Sequence, residues 1–100
     1  MAAREPAGTV YVRVASGRAL RRGDADVLGS DVVGIGGRFA AGDVVNVVTR
    51  GSDGGQGLLG TAIAQAASPV LEAVLAAGDD PLQGKPALVV LVAGEFQARW

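Results

Sequence analysis

Leu20-Arg21-Arg22-Gly23-Asp24-Ala25-Asp26-Val27-Leu28, then Asp31-Val32-Val33-Gly34, then Phe39-Ala40-Ala41-Gly42-Asp43-Val44-Val45: the reading of these three segments decides the fold. They place a basic helix end, a glycine stop, a turn and two valine-rich strands in quick succession. That order suits a small barrel presenting arginines beside a backbone loop. None of the three carries a recognisable set of catalytic groups.

Upstream, Thr9-Val10-Tyr11-Val12-Arg13-Val14 alternates in the period-two pattern of a strand. Ser16 is the expected helix cap, Gly17 to Arg22 the helix, and Gly23 its stop. Arg18, Arg21 and Arg22 stand at i, i+3 and i+4 and so share a face. Basic residues near a helix C-terminus offset the macrodipole, by a few tenths to about 1 kcal/mol, but three on one face exceed that need.

Downstream, Val27-Leu28 and Val32 to Ile35 read as strand on either side of Gly29-Ser30, and Gly36-Gly37-Arg38 as a tight connection. Phe39 is the expected core anchor. Gly42-Asp43 turns into Val44-Val45-Asn46-Val47-Val48, Gly51 to Gly57 is a hairpin loop by composition, and Leu58 to Ala64 is the returning strand. Ser68 as cap, Pro69 at the first helical position and Glu72 in the first turn start a second helix over about Pro69 to Ala77. Its apolar stripe is Val70, Leu71, Val74 and Leu75, and Gly78 ends it. After the loop Asp79-Asp80-Pro81, Ala87 to Val92 is an apolar strand, either buried on both faces or open to a partner along its edge.

One hundred residues make one domain with a modest core, and fifteen valines with sixteen glycines favour strands and turns. The expected division is a disordered extension over residues 1–8 and a domain over 9–96. The longest apolar run, Ala87 to Ala93, is too short to span a bilayer, and the N-terminus lacks the apolar stretch of a secretory signal. With no cysteine there is no disulfide framework, and the expected location is the cytoplasm.

The net charge of −1 hides an asymmetry. Residues 1–23 carry five arginines against one acid, and residues 24–100 carry four basic residues against nine acids. This is a local basic patch on a mildly acidic body. Eight arginines against one lysine, with eighteen alanines, also fit biased codon usage.

Histidine and cysteine are both absent, which removes the common general base near neutral pH, thiol nucleophiles and nearly all zinc sites. Asp24, Asp26 and Asp31 lack the spacing of a calcium loop and read as turn caps. The glycine-rich segments lack a Gly-Lys-Ser/Thr ending, and the only lysine, Lys85, precedes a proline. The chain reads as non-catalytic, with no cofactor and no metal.

Together, Arg21-Arg22-Gly23, Ala25-Asp26-Val27-Leu28, Asp31-Val32-Val33, Phe39 to Val45, and Gly60-Thr61-Ala62-Ile63-Ala64 with its serine-led helix resemble the PUA domain over about residues 9 to 77. The resemblance implies a mainly β PUA-like pseudo-barrel with two short helices. It implies a partner in RNA, above all tRNA near the end of the acceptor stem, and no role for DNA or membranes. It also implies a parent protein with its own catalytic domain, such as an RNA cytosine methyltransferase or a pseudouridine synthase. RNA contact in the family comes from the first helix, the following loop and the adjoining strand, which here correspond to Arg18, Arg21, Arg22, Gly23, Asp26, Val27 and Leu28. Where the family has Arg-Gly-Ala-Asp-Val, Asp24 is an addition that puts a negative charge beside the RNA, and Ser30-Asp31 replaces a Pro-Gly. The same domain occurs as a non-catalytic C-terminal part of glutamate 5-kinases, which is the alternative. That version has a Ser-Leu-Leu-Pro strand start, where this chain has Asp26-Val27-Leu28.

Overall fold

A computed structural model describes residues 6–51, 54–77, 89–92, 94 and 96–98. In chain order the elements are β1 (Gly8–Arg13), α1 (Val14–Arg22), β2 (Val27–Leu28), a 3-10 turn (Gly29–Asp31), β3 (Val32–Gly37), β4 (Val44–Arg50), β5 (Gln56–Ile63), α2 (Ser68–Ala77), β6 (Val89–Leu91) and β7 (Gln97–Ala98). The class is the expected one, mainly strand with two short helices.

Five strands form a mixed sheet in the order β3-β1-β4-β5-β7, and β2 and β6 form a second, two-stranded sheet. The β1–β4 pair is parallel and the other pairs are antiparallel. The chain passes from β5 to the small sheet at Ala64, which bridges Leu91, while the Gln65 N–H donates to the Val90 carbonyl at 2.8 Å. This junction wraps one sheet onto the other and encloses the core.

The core follows the strand alternation. Val10 and Val12 of β1, Val45 and Val47 of β4, and Ala62 of β5 face inward and are buried. Leu20 of α1, Leu71 of α2, and Val90 and Leu91 of β6 close the ends. Phe39 is buried as expected, lying so close over Gly8 that a Cβ there would meet its ring at 2.7 Å.

Two bulges break the alternation. Tyr11 pairs with Gly34 and Val12 with Val32, which leaves Val33 unpaired on β3. Val47 pairs with Gly60 and Val48 with Leu58, which leaves Leu59 unpaired on β5.

Several expected boundaries move. Helix α1 begins at Val14, directly from β1, with Arg13 as an extended cap residue lacking a side-chain bond, so Ser16 lies inside the helix. Gly36 and Gly37 are the end of β3, paired with Thr9 and Gly8, rather than a connection. Gln56 and Gly57 belong to β5, and the hairpin turn is closed by Gly51 N–H to Gly55 O at 2.8 Å. Ser68 does not cap α2: the Leu71 N–H reaches back to the Ala67 carbonyl, and the Ser68 hydroxyl is used elsewhere. In the apolar stripe, Leu71 is buried and Leu75 half-buried, but Val70 is 47% exposed because that side of α2 faces solvent.

The strand read at Ala87 to Val92 is not an open edge over its described part: β6 pairs with β2, and Val90 and Leu91 are buried. β7 was not expected. Pairing runs from Gly8 at one end to Ala98 at the other. The first five residues of the expected extension, the side chain of Val74, the Gly78 stop, Asp79-Asp80-Pro81, Lys85, Ala87 and Leu88 lie outside the described residues.

Candidate functional site

Helix α1 carries the basic face. Its inner side is set by Gly17 and Leu20, both buried, so Arg18, Arg21 and Arg22 project into solvent. Gly17 allows a close approach to the sheet: a Cβ there would stand 2.5 Å from Thr49 Cγ2 and 2.8 Å from Leu59 Cδ1. The extra residue in the β5 bulge thus meets the helix and fixes how far α1 lies from β4 and β5.

The helix ends on Gly23 at φ 76°, the left-handed region that favours glycine. The Gly23 N–H donates to Leu20 O at 3.1 Å and the Asp24 N–H to Ala19 O at 2.9 Å, the paired bonds of a Schellman ending. Nothing lies within 4 Å of the outward side of Gly23, so its backbone is approachable. Beyond it, Arg22 Nε and Asp24 Oδ2 are 3.1 Å apart, with side chains 69% and 62% exposed. The additional acid therefore partners one of the arginines directly.

The remaining expected residues divide. Asp26 is exposed and immediately precedes β2. Val27 is fully buried, at 0% exposure, and pairs with Leu91 of β6, so the expected contact of this residue with a ligand gives way to a place in the core. Leu28 is half-buried, and its N–H donates to Asp31 Oδ2 at 3.1 Å, which makes Asp31 the turn cap expected of it. Arg18, Arg21, Arg22, Gly23 and Asp26 thus form one exposed rim, while Val27 and Leu28 anchor it.

A helix C-terminus is the negative end of the macrodipole. Anion binding here depends on the guanidinium groups, which can fork onto phosphate oxygens. Helix amides contribute nothing at this end.

A second basic group was missed. Arg13 ends β1 and pairs in register with Arg50 at the end of β4, so the two stand side by side where α1 begins. The Arg50 guanidinium lies 4.2 Å from the centre of the Tyr11 ring. Strand alternation alone sets Tyr11 and Arg13 on the outward face. The neighbouring position of Arg50 depends on the parallel register of β1 and β4, strands separated by thirty residues of sequence from Arg13 to Val44.

No family model matches this sequence, and no curated protein matches it. Among solved structures, a PUA domain from Aeropyrum pernix K1, crystallised as a tartrate complex, is similar at a TM-score of 0.63 and 25% identity. The match covers 86% of this chain and 41% of that one. The chain spans less than half the length of the structure it matches. The fold is PUA-like. Among the described residues no helix is long and apolar enough to cross a membrane.

Proposed function

We propose that this chain is the RNA-binding module of a larger RNA-modifying enzyme, acting on tRNA in the cytoplasm, with the expected domain of residues 9–96 widened to Gly8 and Ala98 by the pairing of β1 and β7. The observation that carries this reading is the exposed face of Arg18, Arg21 and Arg22 ending at the open Gly23 turn. Arginines spaced over about one helical turn can contact successive phosphates, and the bare glycine lets a sugar or base approach the backbone. Asp26 and the half-buried Leu28 extend this surface. The parent protein's catalytic domain supplies the chemistry, and DNA and membranes have no part.

The Arg22–Asp24 pair favours a second reading, in which the domain is a structural or regulatory part of a glutamate 5-kinase and the basic face is partly neutralised. tRNA binding at low salt separates the two. Binding by the parent protein that falls on removing Arg21 and Arg22 supports the RNA module. A parent protein that binds no RNA supports the kinase part.

A further inference from the structure

We infer that the outward face of the five-stranded sheet, at Tyr11, Arg13 and Arg50, holds an unpaired stretch of RNA continuing from the α1 site; this rests on the RNA reading of that site. β1 turns Val10 and Val12 inward, which leaves Thr9, Tyr11 and Arg13 outward. In register, Tyr11 stands between Gly34 of β3 and Val48 of β4. Without side chains at Gly34 and Gly36, the ring leans over β3: a Cβ at Gly34 would lie 3.5 Å from Tyr11 Cδ2, and one at Gly36 would lie 3.8 Å from Cε2. Arg50 covers this ring, 4.2 Å from its centre. The outcome is a flat aromatic and guanidinium platform beside Arg13.

Its charge is unbalanced. β1, β3, β4, β5 and β7 contain two arginines, Arg13 and Arg50, and no carboxylate. These two are neighbours in the ladder, and like charges placed side by side cost stability. Among the described residues no acid pairs with either. A bound anion relieves that repulsion. An aromatic ring under a guanidinium also suits the planar face of a base. RNA alternates anions with planar rings and so matches both features, whereas an acidic peptide answers only the charge. α1 packs on the inner face of this sheet, where Gly17 meets Val12 and Thr49, so the platform lies on the opposite face and an unpaired strand reaches it from Arg21 and Arg22 by passing the end of β1.

The test measures binding of the full chain, at low salt, to a blunt RNA hairpin and to the same hairpin with an oligouridine tail. Stacking predicts that the tail tightens binding by about fivefold to 150-fold per stacked base. Arg50→Gln and Tyr11→Leu, each checked by melting temperature for an intact fold, should abolish the gain from the tail and leave the blunt hairpin unaffected. Arg50→Lys keeps the charge but loses the planar group, so it should recover only part of the gain. A tail without effect, or variants that weaken both probes equally, overturns the inference, while loss of hairpin binding in the Arg21→Ala/Arg22→Ala variant keeps the α1 site. Oligouridine binding that depends on Tyr11, without any hairpin binding, supports the platform and removes the α1 reading. Competition by an acidic peptide as strong as by oligouridine overturns RNA as the occupant.

Discussion

Ser68 and Phe39, 29 residues apart, hold each other by two bonds: the Phe39 N–H donates to Ser68 Oγ at 3.2 Å, and the Ser68 N–H donates to the Phe39 carbonyl at 2.9 Å. Both residues are buried. The pair ties the start of α2 to the segment that leads into β4. Ser68→Ala would leave the buried Phe39 amide without its acceptor, and such a group costs about 1–3 kcal/mol. Chemical denaturation should show that loss with an unchanged m-value. Full stability in Ser68→Ala would mean that another acceptor replaces the hydroxyl.

Phe39→Ala should be more damaging, because it empties the space above Gly8. Truncating a buried Phe typically costs about 3–5 kcal/mol, much of the stability of a domain this size. Phe39→Leu should lose substantially less. Thermal melts of the two variants give the comparison, and equal melting points would place the ring outside the core.

Gly17→Ala inverts the ordinary rule that alanine improves a helix. The added methyl meets Thr49 Cγ2 and Leu59 Cδ1 well inside contact distance, so these side chains or α1 itself must shift. Overpacking of this kind typically costs about 1–3 kcal/mol, more than the helix propensity returned. Leu59→Ala combined with Gly17→Ala should recover part of the loss, as a double-mutant cycle will reveal.

For RNA binding, Arg21→Ala and Arg22→Ala should each lower the slope of log affinity against log salt by roughly 0.7–0.9 for every phosphate contact removed. Arg50 cannot serve as the control for general charge, because it stands beside Arg13 at the start of α1. Arg38, exposed between β3 and Phe39, is the suitable control. An equal drop for Arg38→Ala would reduce the effect to nonspecific charge.

Asp24→Asn tests the additional acid. It frees Arg22 from its 3.1 Å partner, and an exposed pair of this kind is worth about 0.2–1 kcal/mol. RNA affinity should therefore rise by up to about fivefold, with little change in melting temperature. An affinity that falls would mean that Asp24 itself contributes to the RNA contact.

What the sequence determined by itself was local. Period-two valines placed the long strands, Gly23 stopped α1 because only glycine readily takes its left-handed backbone, and the spacing of Arg18, Arg21 and Arg22 made one basic face. Phe39 was legible as a core residue among so few aromatics. The caps were misread because the competing partners came from elsewhere in the chain. Ser16 lost its place when β1 ran straight into α1, and the Ser68 hydroxyl was taken by Phe39 rather than by its own helix. Only the tertiary structure decided β7, the two bulges, the burial of Val27 and the meeting of Tyr11, Arg13 and Arg50. Each of these depends on strand register between distant segments, and register is settled by packing of the whole core rather than by any residue's own preference.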